Sequence, residues 1–357
     1  MFKNKILIYG LTLNAIRSLT LAFSVFYMMA YGLSLEQVGF IKAFQAALIF
    51  FLDVPLSYLA DKISRRFSVL TAGLCSTIWL FLMAGAHSFA SFVLAEFFNS
   101  LSLLLFSGTF VAYLLDNRST SVTIETALSH YHQYGKIGMA LSCLIGSAFA
   151  TVHSRWTWVV AAAAMLICCL WGAIYLPRDH NSINAPKRTL KEDLSYLRSH
   201  LQSHQGNHLG LIFWQYVIAL VLLQVMIQYW QPYAFGTHPT IQYGLAFGIY
   251  FAILLVIQAY GAYFFRQEYR HKNLIQIAVF IIILGFSLWA SVSYNHISLI
   301  ISGAILFFIS QLMVLETSAE FHKLIASDLR ATMDSIVSSV YRLFLIAVLA
   351  AVPSLIS

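Results

Sequence analysis

Residues 57–66 read Ser57-Tyr58-Leu59-Ala60-Asp61-Lys62-Ile63-Ser64-Arg65-Arg66. This stretch, with its charges at Asp61, Lys62, Arg65 and Arg66, separates two apolar runs at 38–60 and 67–86. Each run has the ~20 residues that an α-helix needs to cross a hydrocarbon core about 30 Å thick. Charges crowded into so short a break mark a loop at a membrane surface, because a charged side chain inside hydrocarbon is costly. The same alternation continues in both directions. Apolar stretches lie near 6–30, 38–60, 67–86, 89–114, 131–152, 156–176, 210–230, 241–264, 273–294, 297–319 and 333–355, eleven in all. Most breaks are short and polar, as in Gly32-Leu33-Ser34-Leu35-Glu36-Gln37.

One connection is long. Residues 177–209 are polar, contain Pro177 and Pro186, and divide six spans from five. The expected organisation is an N-terminal six-helix lobe (1–176), a cytoplasmic linker (177–209) and a C-terminal lobe of about five helices (210–357). Within the linker, Leu190, Leu194, Leu197 and Leu201 recur at helical spacing among Lys191, Glu192, Asp193 and Arg198. That pattern fits an amphipathic helix on the membrane surface, or equally a helix packed on the lobes.

Composition agrees. Of 357 residues, 60% are hydrophobic and 10% charged, and the mean hydropathy is +0.77. Soluble proteins are about 25% charged, and so few charges cannot cover a soluble surface of this size. The chain reads as an all-α polytopic membrane protein, and disordered, collagen-like and disulfide-scaffold classes are excluded. Cys75, Cys143, Cys168 and Cys169 all fall inside apolar runs, as small core residues rather than a metal site or disulfide framework. The net charge of +7 is explained by basic cytoplasmic loops rather than by a nucleic-acid partner. With the N-terminus cytoplasmic, the outer loops carry only Arg155 of the 21 Lys and Arg. The expected location is the cell (inner or plasma) membrane. The first apolar stretch, reaching about Met29, is too long for a signal-peptide core and counts as a span. There is no His-Glu-x-x-His, Gly-x-Ser-x-Gly or P-loop, so neither an enzyme nor a cofactor is expected.

The 57–66 stretch resembles G-x-x-x-D-[RK]-x-G-[RK]-[RK], the loop joining helices 2 and 3 in the major facilitator superfamily, with Ser57 and Ser64 at its two glycine positions. Asp53-Val54-Pro55 resembles the acidic-x-Pro upstream of that loop. Ser107-Gly108 with Asp116 resembles the end of helix 4, and Arg330-Ala331-Thr332 the entry to helix 11. The six-loop-remainder layout matches as well. Tyr263, Arg270 and His271 after the eighth span echo Tyr58, Arg65 and Arg66 after the second, as an internal repeat would. Two features depart from the family. The family has twelve helices where eleven apparent spans are read here, and the antiporter Gly-Pro signature of helix 5 is absent, since Gly135, Gly138 and Gly146 have no accompanying proline.

The resemblance implies two lobes rocking about a central site. Helices 1, 4, 7 and 10 line the cavity, 2, 5, 8 and 11 flank it, and the rest face lipid. The intramembrane charges fit this: Arg17, Lys42, Asp53, Glu96, Glu316, Glu320 and Arg342 avoid spans 3, 6 and 9. Arg17 and Arg342 each lie twelve residues past an inner-boundary basic residue, Lys5 and Arg330, or about 18 Å along a helix. Neither reaches the surface easily, so each needs a partner, water or a solute. A fixed pair such as Arg17 with Glu96 is the alternative to a solute. Lys42 lies near the outer boundary and is expected to snorkel.

The expected substrate-binding residues are Arg17, Asn14, Arg342, Gln224, Gln228 and Trp230. Gln224, Gln228 and Gln231 share a face of span 7, a face equally suited to interhelical hydrogen bonds. Glu96, Glu316 and Asp53 are the candidates for proton coupling, since desolvation disfavours the charged carboxylate. The gating motif comprises Asp61, Lys62, Arg65, Arg66 and Asp116. Asp61 is expected to approach the N-terminus of span 11, and no metal site is expected.

Two arginines imply a solute with a negative group, because guanidinium donors match two oxygens at once. The expected function is secondary active, proton-coupled transport of an anionic or zwitterionic organic solute. The expected partners are that solute, protons and the bilayer, with no nucleic acid, and the chain is expected to act as a monomer. A drug exporter and a non-transporting receptor or immunity protein are the alternatives.

Overall fold

The computed structural model describes residues 5–117, 124–178, 206–235, 244–267, 296–324 and 330–356. All the regular elements among them are helices: α1 (Lys5–Leu21), α2 (Ser24–Ala30), α3 (Leu35–Ile63), α4 (Arg65–Gly85), α5 (Phe89–Asp116), α6 (Ile124–Tyr175), α7 (Gly206–Phe235), α8 (Gly244–Gln267), α9 (His296–Leu324) and α10 (Arg330–Ile356). Every expected span has a described helix except 273–294. That span, and the expected linker helix over Leu190–Leu201, lie outside the described residues.

Among the described residues, five segments are each long and apolar enough to cross a membrane: Leu35–Asp53, Arg65–Gly85, Phe89–Val111, Gln133–Tyr175 and Leu209–Gln231. The fourth, at 43 residues, has the length of two crossings and departs from helical geometry at His153 (φ −146°, ψ 74°), between the expected spans 5 and 6. Large apolar side chains turn outward, including Phe51 at 70%, Phe81 at 65% and Ile174 at 72% exposure. Water would penalise such a belt, whereas hydrocarbon accommodates it. The chain is an all-α multi-pass membrane protein.

The breaks have local causes. At the start of α3, Ser34 Oγ accepts from Gln37 N at 3.2 Å while Gln37 Oε1 accepts from Ser34 N at 3.0 Å. This reciprocal cap satisfies two of the orphan donors of a helix start. Just before it, Gly32 takes φ +90°, a conformation that costs glycine little and other residues more. Ser64 caps α4, accepting from Phe67 N at 3.1 Å, so the serine at the motif's second glycine position starts the next helix.

Two findings differ from the sequence reading. The first span is not one straight helix: α1 and α2 meet at 41°, with neither proline nor glycine at Ala22 or Phe23. And α6 begins at Ile124 rather than near 131, because polar residues such as His130 and His132 lower the hydropathy of a segment that is helical nonetheless.

Glycine accompanies close helix approach at several places, the approaches of α6 and α4 to α1 among them. On α6, a Cβ at Gly135 would lie 3.7 Å from Leu11 Cδ2, one at Gly138 would lie 3.9 Å from Ala15 Cβ, and one at Gly146 would strike the Leu19 carbonyl. The pairs 11/135, 15/138 and 19/146 advance together, so α1 and the first half of α6 run parallel. A Cβ at Gly73 of α4 would lie 2.5 Å from Cys169 Sγ and 2.6 Å from Tyr9 OH. Elsewhere α4 packs on α5, α3 on α5 and α10, α6 on α8, and α9 on α7 and α8.

Candidate functional site

A buried polar chain runs across α1, α3, α4 and α5. Lys42 Nζ donates to Glu96 Oε1 at 2.9 Å, with side-chain exposures of 8% and 1%. Glu96 Oε2 accepts from Asn99 Nδ2 at 2.8 Å. Asn99 Oδ1 in turn accepts from Arg17 Nη2. Arg17 Nη1 donates to Ser76 Oγ at 2.6 Å and to Ser102 Oγ at 3.1 Å, and the two serine oxygens are 2.6 Å apart. The Arg17 guanidinium also lies over the Trp79 ring, 4.7 Å from its centroid.

The side chains Lys42, Glu96, Asn99 and Arg17 thus form a line from one cation to another through a carboxylate and an amide. Asn99 can serve both neighbours only with its amide turned this way, since a carboxylate cannot donate and a guanidinium cannot accept. The expected snorkelling of Lys42 does not occur. Its ammonium turns inward because Glu96 offers a charge-assisted bond there. Arg17 is partnered by neutral groups, and its link to Glu96 passes through Asn99. Of the two cations, only Lys42 therefore pairs with the carboxylate directly.

A second charge group joins α3 to α10. Asp53 Oδ2 accepts from Ser338 Oγ at 3.1 Å and lies 4.0 Å from Arg342 Nη1. Arg342 Nε donates to Tyr341 OH at 3.0 Å, while Nη1 is shielded from solvent and makes no hydrogen bond among the described residues. The structure thus brings Asp53 and Arg342 together, and it places Arg17 and Glu96 in a separate cluster.

On α7, Gln224 and Gln228 are half-buried and make no side-chain hydrogen bond to described residues, whereas Trp230 stacks on Phe251 at 5.0 Å. Gln231 differs from the other two glutamines. It is 1% exposed. Its Oε1 accepts from Val25 N at 3.1 Å and Phe26 N at 3.3 Å, and its Nε2 donates to Leu21 O at 3.0 Å. These backbone groups are freed by the α1–α2 break, so the bend arises because a side chain enters the helix's hydrogen-bond ladder. Asn14 Nδ2 donates to Tyr131 OH at 2.8 Å. Glu316, on α9, is half-buried and makes no ion pair among the described residues.

Lys136 was not among the residues singled out from sequence. With α6 starting at Ile124 it lies well inside the helix, and its Nζ donates to Gln258 Oε1 of α8 at 2.8 Å. A helix-start estimate that ignored the local drop in hydropathy would have moved it off the boundary.

Of the gating motif, Asp61, Lys62 and Asp116 have described backbone only; their side chains lie outside the described residues. Arg66 Nη2 donates to Ala173 O at 2.5 Å, tying the loop to the end of α6. The described residues contain no cluster of three or more His, Cys, Asp or Glu arranged to hold a metal.

The sequence profile described as "Major Facilitator Superfamily" matches residues 5–351. No curated protein sequence is a significant match. Solved structures share the fold at low identity. The nucleoside transporter NupG is 17% identical with a TM-score of 0.74, covering 98% of this chain and 90% of that one. A POT family transporter in complex with 5-aminolevulinic acid is 14% identical with a TM-score of 0.77, covering 98% and 89%. A D-xylose–proton symporter is 14% identical with a TM-score of 0.71, covering 98% and 87%.

Proposed function

The chain belongs to the Major Facilitator Superfamily, and from that premise we propose that it is a secondary transporter of a small organic solute bearing a negative group, driven by protons. The carrying observation is that Glu96 pairs directly with Lys42 and is reached by Arg17 only through Asn99, so Arg17 makes no ion pair of its own among the described residues. A positive charge left without its own counter-ion deep in a membrane protein is costly, and a solute anion relieves it. Arg342, whose Nη1 makes no hydrogen bond among the described residues and lies 4.0 Å from Asp53, supplies a further cation from the other half of the chain.

In this reading the lobes 1–176 and 210–357 rock about the site, with the N-terminus in the cytoplasm. Asn14, Gln224, Gln228 and Trp230 contribute polar and aromatic contacts to the solute. Glu96, Asp53 and Glu316 are the proton-coupling groups. Protonation of Glu96 or Asp53 would loosen its hold on the neighbouring cation and release that cation toward an anion. Asp61, Lys62, Arg65, Arg66 and Asp116 form the inner gate.

The test is counterflow of labelled carboxylates in liposomes holding the wild type, Arg17→Lys or Arg342→Lys. Lysine keeps the charge and loses the fork, so anion exchange is expected to fall sharply in both variants. Normal exchange in both, or exchange of cationic compounds alone, would overturn the anion reading and favour a drug exporter.

A further inference from the structure

Lys136 lies twelve residues after the first residue of α6, which places its Cα about 18 Å along the helix. It shares a face with Cys143 and Ser147, seven and eleven residues further on. That face packs on α8: a Cβ at Gly248 would lie 2.5 Å from Ser147 Cβ and 3.2 Å from Cys143 O. The lipid-facing stripe is a different one, formed by Ile137, Leu141 and Ile145, which are 43%, 58% and 66% exposed. The half-buried Lys136 therefore opens between helices rather than toward lipid. Its level on α1 is given by Gly135 against Leu11 and Gly138 against Ala15, where Asn14 is bonded to Tyr131 OH.

The partner of Lys136 is chemically incomplete. Gln258 is 3% exposed, and its Oε1 accepts one of the three ammonium protons. An amide oxygen contributes no charge. No described carboxylate forms an ion pair with Lys136. The cation is thus half-buried between two helices, held by a neutral acceptor, with donors to spare.

We propose that Lys136, oriented by Gln258, is a binding point for the anionic group of the solute, a carboxylate or phosphate oxygen. This rests on the anion reading above and assigns it a residue on α6. An ammonium is a compact donor suited to either oxyanion. Gln258 holds the Lys136 ammonium through one hydrogen bond and leaves the remaining protons to the ligand. Because α6 and α8 belong to different halves of the chain, an anion at Lys136 sits where the two halves meet.

The experiment is thermal unfolding of the full-length protein in lipid nanodiscs, titrated with succinate, citrate, inorganic phosphate, uridine, xylose or tetraphenylphosphonium. A ligand that binds the folded state raises the midpoint with concentration. At least one anion is expected to do so for the wild type and for Lys136→Arg. Lys136→Gln is expected to weaken that anion's apparent affinity roughly tenfold or more, the scale of one charge-assisted bond. Gln258→Glu, which neutralises Lys136 in place, is expected to do the same and decides the matter if Lys136→Gln does not assemble. Anion binding unchanged in these variants overturns the assignment to Lys136 and leaves the anion reading with Arg17 and Arg342. A wild type that responds to no anion overturns both.

Discussion

Glu96 must serve a lysine and an asparagine at once while 1% exposed, and this makes it the most consequential single side chain of the N-terminal half. Breaking a buried pair by removing one partner typically costs about 3–5 kcal/mol, because the other charge stays buried alone. Glu96→Gln is expected to lower the midpoint of thermal unfolding in detergent clearly, and Glu96→Gln with Lys42→Met to restore much of the loss. Equal midpoints for wild type and Glu96→Gln would show that the pair is solvated and unimportant. On α3, Asp53→Asn removes the only described carboxylate beside Arg342 of α10. It is expected to impair transport more than folding, since Ser338 can still bond an amide oxygen, and a transport assay beside a melting curve separates the two effects. Depth along a helix was enough to mark Arg17, Glu96, Asp53 and Arg342 as charges needing an explanation. Pairing was not legible, because it depends on which helices neighbour one another. Lys42 was misjudged for that reason, its distance to the boundary being readable and its proximity to α5 not.

At the scale of elements, the bend between α1 and α2 and the side chain that causes it are far apart in sequence. Gln231→Leu would leave Val25 N, Phe26 N and Leu21 O without their partner. Each buried polar group left unsatisfied costs about 1–3 kcal/mol, so the variant is expected to melt well below the wild type. Gln231→Glu, which keeps the acceptor and loses the donor, is expected to fall between them. If Gln231→Leu melts as the wild type does, the bend is intrinsic to residues 21–24. The approach of α1 to α6 gives a parallel expectation. Gly146→Ala would drive a methyl group into the Leu19 carbonyl, and backbone on both sides has little room to yield. The yield of folded protein should drop, whereas Gly85→Ala, where a Cβ meets nothing within 4 Å, should be tolerated. Helix existence was legible from apolar runs of membrane-spanning length. The α1–α2 break was not, since no local residue signals it, and neither was the early start of α6.

For the whole molecule, a membrane fold of known family carries buried cations, Arg17 and Lys136, that make no ion pair among the described residues. The gate belongs to this scale. If Asp61 lies at the N-terminus of α10, as proposed for the gate, Asp61→Asn is expected to cut turnover severely with expression intact, because a charge there is stabilised only while it remains a charge; wild-type turnover in that variant would overturn the gating role of Asp61. Family and fold were legible from the 57–66 loop and the spacing of spans, while the arrangement of the site required the packing of α1, α3, α4 and α5. The most direct measurement of the central claim is uptake into liposomes of purified protein, with an imposed acid-outside or acid-inside gradient and a panel of labelled organic anions, sugars and lipophilic cations. The account predicts that at least one anion moves with the proton gradient, that a protonophore abolishes its accumulation, and that Arg17→Lys slows it roughly tenfold, the scale of a lost bidentate contact. Movement of cations or neutral solutes alone, or anion movement indifferent to the gradient, would contradict it.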